Sequence, residues 1–370
     1  MKKIKVMSVF GTRPEGIKMG PVVKALADDD RFTSVVVSTG QHAEMLQQVL
    51  DVFAVKPDYD LKIMKPGQTL TGITVTTMTK LEPIIQKEHP DIMLVHGDTS
   101  SAYAAALTAF YNQVAIGHVE AGLRTWNKYS PYPEEMNRQM IDDLADLYFA
   151  PTKTSAHNLA LGNHQQGVVI TGNTAIDALH YTINQDYQHS VLDEIDSEHK
   201  IILLTMHRRE NWGQPMEETF KAIKKVVDER ENIDVIYPVH LNPKVQMVAK
   251  KILGGDNHFH LIAPLNVVDF HNLMSKALLV MSDSGGVQEE APALHKPVLV
   301  LRDTTERPEG VSAGTLKLIG NQYENVVEEL STLLDSEDEY QKMSEAKNPY
   351  GDGRASKRIL DAIAKWFEQK

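Results

Sequence analysis

The feature that most constrains this chain is a rhythm. Short apolar runs alternate with longer amphipathic stretches along its whole length. Strand-like runs lie at residues 3–10, 34–38, 92–96, 114–117 and 147–150, and helix-like stretches at 21–28, 44–53, 70–88 and 101–111 separate them. Parallel strands need a long crossover, usually a helix, so this rhythm predicts βαβ units and a parallel sheet. A second series starts near residue 200, with strand-like runs at 200–205, 234–238, 258–262, 278–282 and 297–301. The polar stretch 171–200 divides the two. The expected architecture is two doubly wound α/β domains with a central cleft. The boundary is placed at Thr171-Gly172, giving domains 1–171 and 172–353. The last stretch, 354–370, has Ile359, Leu360, Ile363, Ala364 and Phe367 on one helical face and is expected to join the first domain.

With 370 residues, each domain can bury a core of its own. Lys and Arg number 38 against 50 Asp and Glu, a net charge of −12. Such a chain is a poor generic partner for nucleic acid or anionic membrane, and a polyanionic ligand must be met by a few local cations. The absence of cysteine removes thiol nucleophiles, disulfides and Cys-zinc sites. No apolar run is long enough to span a bilayer. The first one contains Lys5 and Ser8 and runs into Gly11-Thr12-Arg13-Pro14, which reads as a buried strand rather than a signal peptide. A cytoplasmic enzyme is expected.

In doubly wound sheets, ligands sit at the C-terminal strand ends, and the polar motifs cluster there. Gly11 to Lys18 follows the first strand and opens a helix. Arg13 and Lys18 can hold a phosphate there, or can be solvated residues of a capped turn. Asp98, in His96-Gly97-Asp98-Thr99, either projects a catalytic carboxylate or caps the next helix. Glu120, in Gly117-His118-Val119-Glu120-Ala121-Gly122, either pairs with Arg124 or joins Asp98 as a second carboxylate for proton transfer. Glu134 and Glu135 follow Pro131 and Pro133, where acidic residues also favour a helix N-terminus.

In the second half, His207-Arg208-Arg209 suggests an anion site with a group that titrates near neutrality. Ser284-Gly285-Gly286 is a candidate diphosphate cradle, and Glu290 a candidate acceptor for ribose hydroxyls. The loop from Arg302 to Gly310 either closes over a ligand or is a salt-bridged turn. No His-Glu-x-x-His, Gly-x-Ser-x-Gly or Gly-x-Gly-x-x-Gly occurs in a fitting place, which removes support for zinc, serine-hydrolase and nicotinamide chemistry.

Taken in order, the strings FGTRPEGIKM, VHGDTSS, GHVEAGLRT, PEEMNRQMID, HRREN, DSGGVQEEAP and LRDTTERPEG resemble the bacterial non-hydrolysing UDP-N-acetylglucosamine 2-epimerase family. TGNTAIDAL, PVHLNP and Gln41-His42 also match, so the resemblance covers nearly the whole chain. It implies a glycosyltransferase-B type fold and reversible conversion of UDP-GlcNAc to UDP-ManNAc. The implied route eliminates UDP to 2-acetamidoglucal and adds it back, with neither NAD nor metal. The product would supply ManNAc for cell-surface polysaccharide.

Carried onto this chain, the resemblance implies Asp98, Glu120, Glu134 and His207 as the acid/base and positioning set. It implies Arg13, Lys18, Arg208, Ser284, Gly285 and Gly286 around the diphosphate, Glu290 on the ribose, Phe270 near uracil, and His240 among the residues that bind the substrate. A homodimer is implied. So is activation by UDP-GlcNAc at a second site carrying Gln41, His42 and Gln68, with His240 and Arg208 reaching it. Glu44 and Gly67 depart from the Gln and Arg that some members carry there. The alternative function is a UDP-sugar-dependent glycosyltransferase of the same fold.

Overall fold

The structure is a computed structural model that describes residues 2–40, 43–65 and 67–369. The chain forms two compact units, Met1–Tyr181 with Tyr350–Lys370, and Thr182–Pro349. The first holds a seven-stranded parallel sheet of β1 (Ile4–Phe10), β2 (Phe32–Ser38), β3 (Tyr59–Asp60), β4 (Ile92–His96), β5 (Ala115–Val119), β6 (Leu147–Ala150) and β7 (Val168–Ile170). Their order is β3-β2-β1-β4-β5-β6-β7. The second holds six parallel strands: β8 (Lys200–Thr205), β9 (Ile233–Pro238), β10 (Phe259–Ile262), β11 (Leu279–Ser282), β12 (Val298–Val300) and β13 (Leu316–Leu318). Their order, β10-β9-β8-β11-β12-β13, repeats the doubly wound pattern.

Each sheet reverses direction of build at one place. β1 pairs with both β2 and β4, and β8 with both β9 and β11. The loops leaving β1, β4, β8 and β11 therefore flank the two switch points, and they carry most of the polar motifs. The central strand β4 is buried at every residue, as expected of a sheet covered on both faces. Among the described residues no helix is long and apolar enough to cross a membrane.

The first helix, Arg13–Asp28, starts earlier than the apolar pattern suggested. Thr12 accepts a hydrogen bond from the Glu15 amide, and Glu15 reaches back to the Thr12 amide, closing a capping box. Pro21 lies inside this helix. Gly20 lets the neighbouring helix approach closely, because a Cβ there would come within 2.3 Å of the Phe53 ring.

Three strands escaped the sequence reading: β3, β7 and β13, each two or three residues long and each at a sheet edge. So short a run has no usable period.

The division between units also differs from the one expected at Thr171-Gly172. The helix Thr174–Thr182 packs with the first unit almost to its end. Its Asp177 carboxylate accepts from the amides of Ala355 (3.0 Å) and Ser356 (2.7 Å), at the start of the helix Ala355–Glu368. A carboxylate at a helix N-terminus is worth about 1 kcal/mol or more. Asn173 adds a bond from its amide to the Tyr350 carbonyl at 2.7 Å. Ile359, Leu360 and Ile363 then share one core with Val6, Phe10 and Met19.

Candidate active site

In the first unit the polar groups gather at the C-terminal ends of β1, β4 and β5. Asp98 does not cap the next helix. Thr99 does, accepting from the Ala102 amide at 3.0 Å, which leaves the Asp98 carboxylate to the side. Arg138 Nη2 stands 2.7 Å from Asp98 Oδ2. Burial nevertheless pushes the Asp98 carboxyl up to about 6, against the pull of Arg138 and with the push of Glu120 and Glu134. Only about a quarter of the side chain reaches solvent (26%), so surrounding protein desolvates it without sealing it off.

Glu120 adopts a left-handed backbone, φ +68°, which is uncommon away from glycine. Its Oε1 accepts from Lys18 Nζ and from Asn173 Nδ2 (3.1 Å), while His96 Nε2 lies 3.6 Å from Oε2. Arg124, offered by the sequence as a partner for Glu120, instead meets Asp142 at 2.6 Å. Lys18, implied on the diphosphate, here pairs with Glu120, its place six residues past the Thr12 cap bringing it to β5's end.

The adjacent glutamates divide their work. Glu135 is fully buried and accepts from the amides of Thr125 (3.0 Å) and Trp126 (3.1 Å), so it holds a loop. Glu134, the first residue of the helix Glu134–Leu144, is partly exposed and is felt electrostatically by Asp98. Arg13 opens its helix beside the buried Glu15.

Three supporting residues were missed. Glu15 Oε1 accepts from the Thr99 hydroxyl at 2.7 Å, tying the β1 and β4 loops together. His118 is buried between Asp142 Oδ1 (2.6 Å) and the Gly97 carbonyl (2.7 Å), directly behind Asp98. Burial raises Asp142, but His118 and Arg124 outweigh that and hold it below the usual carboxylate range. His96 is buried with both ring nitrogens lacking hydrogen-bond partners among the described residues, and burial drops it to about 3, so it is neutral.

In the second unit the groups follow β8, β11 and β12. Buried Asp283 organises them. Its Oδ2 accepts from the amides of His207 (2.9 Å) and Arg208 (2.8 Å) and from Asn211 Nδ2 (3.0 Å). Its Oδ1 lies 3.3 Å from His207 Nδ1. The carboxylate therefore favours the proton on Nδ1 and leaves Nε2 as the basic nitrogen. Burial lowers His207, Asp283 opposes this, and His240 and Arg208 reinforce it, so the ring is neutral near pH 7. His240 stacks on His207 with centroids 5.6 Å apart.

Ser284, Gly285 and Gly286 are the partly exposed part of an otherwise buried run, and Ser284 leads into the helix Gly285–Glu290. A Cβ on Gly285 would come within 3.9 Å of the terminal nitrogens of both Arg208 and Arg307. Two guanidiniums beside the start of this helix suit an anion; Arg208 also faces Glu306 at 3.6 Å, Arg307 pairs with Glu289, and the Ser284 amide donates to Ser282 Oγ at 2.9 Å. Arg307 was missed because it sits in a dense charged loop whose pairing cannot be read from spacing. That loop proves to be salt-bridged: Arg302 meets Glu210 and Glu306, each at 2.8 Å. Burial pushes Glu306 up, but Arg302, with Arg208 beyond, outweighs it and holds the carboxyl at about 2.

Glu290 is nearly buried, with His271 Nε2 3.4 Å from its Oε2. Phe270, the uracil candidate, is half-buried beside His271. Gln41 and His42 lie outside the described residues. Gln68 anchors a turn, accepting from the Lys65 amide at 3.2 Å.

Known proteins are similar to this chain in sequence and fold. The family described as UDP-N-acetylglucosamine 2-epimerase matches residues 24–364. The chain is 57% identical over 364 residues to the UDP-N-acetylglucosamine 2-epimerase of Bacillus subtilis (strain 168), covering 98% of this chain and 96% of that protein. A crystal structure of a UDP-N-acetylglucosamine 2-epimerase is 54% identical with a TM-score of 0.93, covering 100% of this chain and 98% of that one. The UDP-GlcNAc 2-epimerase of Neisseria meningitidis bound to UDP-GlcNAc is 45% identical with a TM-score of 0.87, covering 98% and 100%. Two doubly wound units of the glycosyltransferase-B type, carrying these motifs at their strand ends, place the chain in the bacterial non-hydrolysing UDP-N-acetylglucosamine 2-epimerase family, and it is an isomerase.

Proposed function

We propose that the enzyme interconverts UDP-N-acetylglucosamine and UDP-N-acetylmannosamine by eliminating UDP and adding it back. One group removes the proton on C2, the C1–O bond to the β-phosphate breaks, and 2-acetamidoglucal forms. UDP oxygen then returns to C1 while a proton reaches C2 from the opposite face. No atom changes oxidation state overall, so the balance calls for no NAD.

The observation that carries this reading is the carboxylate set of the first unit. Asp98 is raised to about 6 and feels both Glu120 and Glu134. A carboxyl poised there can be ionised to accept a proton and protonated to return one near neutral pH. Glu120, Glu134 and His207 complete the acid/base and positioning set. In the second unit, Arg208, Arg307 and the Gly285 and Gly286 amides suit the charge that grows on departing UDP. Glu290 suits a ribose hydroxyl, because a nearly buried carboxylate is a strong acceptor.

The test is UDP-GlcNAc in deuterated water with no acceptor present. Deuterium at C2 of both sugars supports the route. Turnover with no exchange at C2 rejects it, and hydrolysis or transfer as the only reaction rejects the epimerase assignment itself.

Activation by UDP-GlcNAc belongs to the same proposal, since a second ligand that favours the active state by differential binding speeds turnover. Pure UDP-ManNAc should then react with a lag that trace UDP-GlcNAc abolishes, and Gln68→Ala should blunt the effect. Full-rate conversion from the first turnover rejects activation. The homodimer is proposed on the resemblance, and the product is proposed to supply ManNAc for surface polysaccharide.

A further inference from the structure

The second sheet carries a polar cluster at the end opposite its anion cradle. His199 immediately precedes β8, Asp234 is the second residue of β9, and His258 immediately precedes β10, with His260 inside that strand. These three strands are neighbours and parallel, so all four residues stand at their N-terminal ends. His207 follows β8 and lies at the other end.

One donor atom from each of His199, Asp234 and His258 lies within 4.8 Å of the other two. His199 Nδ1 is 2.6 Å from Asp234 Oδ2, and His258 Nδ1 is 3.9 Å from Asp234 Oδ1. Bonds of about 2.0–2.2 Å to one ion in tetrahedral array put donors roughly 3.4 Å apart. One separation must open slightly and the other close slightly, within side-chain adjustment. His199 and His260 both contact the Asp234 carboxylate, and His258 does not reach hydrogen-bond distance of it. Here His258 Nδ1 is shielded from solvent and lacks a hydrogen-bond partner among the described residues, although the ring as a whole is about one-third exposed.

The surroundings fit ligation. His260 Nε2 lies 2.8 Å from Asp234 Oδ1, an outer contact that fixes the carboxylate, and Glu194 Oε2 lies 3.5 Å from His260 Nδ1. Lys224, which lies over the Phe259 ring next to His258, is engaged by Asp228 and Asp256. Two imidazoles with one carboxylate select first-row divalent ions over magnesium or calcium, which prefer oxygen alone.

We propose that His199, Asp234 and His258 bind one divalent transition-metal ion of the zinc type, which clamps the starts of β8, β9 and β10. The site is structural and separate from the epimerase chemistry. Its dispersal over three strands hides it from any search for ligand spacing.

The experiment titrates the full-length protein, first stripped with a chelator, with zinc against a chromophoric competitor, and records melting with and without zinc. We expect one tight zinc per chain, a raised melting temperature, and no displacement by excess magnesium. His258→Ala should weaken zinc by on the order of 10-fold or more, since a direct ligand matters at least as much as an outer partner, while leaving epimerase turnover unchanged. His199→Ala provides a second reading if the first variant misfolds. Zinc binding of equal tightness in both variants, or none above that of the wild type's scattered histidines, overturns the proposal.

Discussion

Arg138 Nη2 stands 2.7 Å from Asp98 Oδ2, yet the Asp98 carboxyl is raised, not lowered. Burial costs the ionised form more than one guanidinium returns, and Glu120 and Glu134 add repulsion. The cation therefore restrains an upward shift, keeping Asp98 within the working range of an acid/base group.

A pH dependence follows. Asp98 must be ionised to accept a proton, so kcat/KM in the direction that uses it as base should fall as pH drops through about 6. Arg138→Met removes the group that holds the value down, so the acid limb should move upward by roughly one unit. A pH profile measured in both reaction directions checks this; an unmoved limb removes Asp98 from that role.

Loss of any one of the three carboxylates should be costly. Asp98→Asn, Glu120→Gln and Glu134→Gln should each reduce turnover by roughly 10² or more, the contribution of a positioned acid/base group. Glu135→Gln should act differently, lowering the melting temperature first, because Glu135 holds the amides of Thr125 and Trp126. Turnover and melting curves on the same preparations separate the two outcomes.

Nucleotide affinity should reside in the second unit. Glu290→Ala and Arg307→Ala are expected to weaken UDP binding more than they slow the bound substrate, since contacts to ribose and diphosphate exist in ground and transition states alike. Calorimetric UDP affinity beside kcat tests this. A large loss of kcat at unchanged affinity contradicts it.

His207→Gln should do the reverse, lowering kcat with little change in UDP affinity, because Arg208, Arg307 and the glycine amides are untouched. Initial rates at saturating substrate, with UDP inhibition measured in parallel, distinguish these cases.

Packing yields a final test. Gly20→Ala would force a methyl into the Phe53 ring, with a 2.3 Å approach that must be relieved. Such overpacking costs about 1–3 kcal/mol. Denaturant midpoints should shift downward, and Gly67→Ala, with nothing within 4 Å of its Cβ but a φ of +72°, should cost less.

The class of fold and the addresses of the chemistry were legible in the residues alone. Runs such as Ile92–His96 are apolar because both faces of a parallel strand are covered, so burial writes them directly into composition. Motifs stand after them because a switch-point topology collects ligand groups at strand ends. What the tertiary structure alone decided is which polar group meets which. Asp98 and Thr99 are adjacent and both able to cap, and only the turn geometry gives the cap to Thr99. Glu134 and Glu135 look alike locally, and only the path of the Thr125–Trp126 loop buries the second. Lys18 finds Glu120, and Arg307 joins Arg208 at Gly285, across sequence separations that no periodicity records. Edge strands β3, β7 and β13 were invisible because each is only two or three residues long, and pairing with a neighbour, rather than any readable period, makes it a strand.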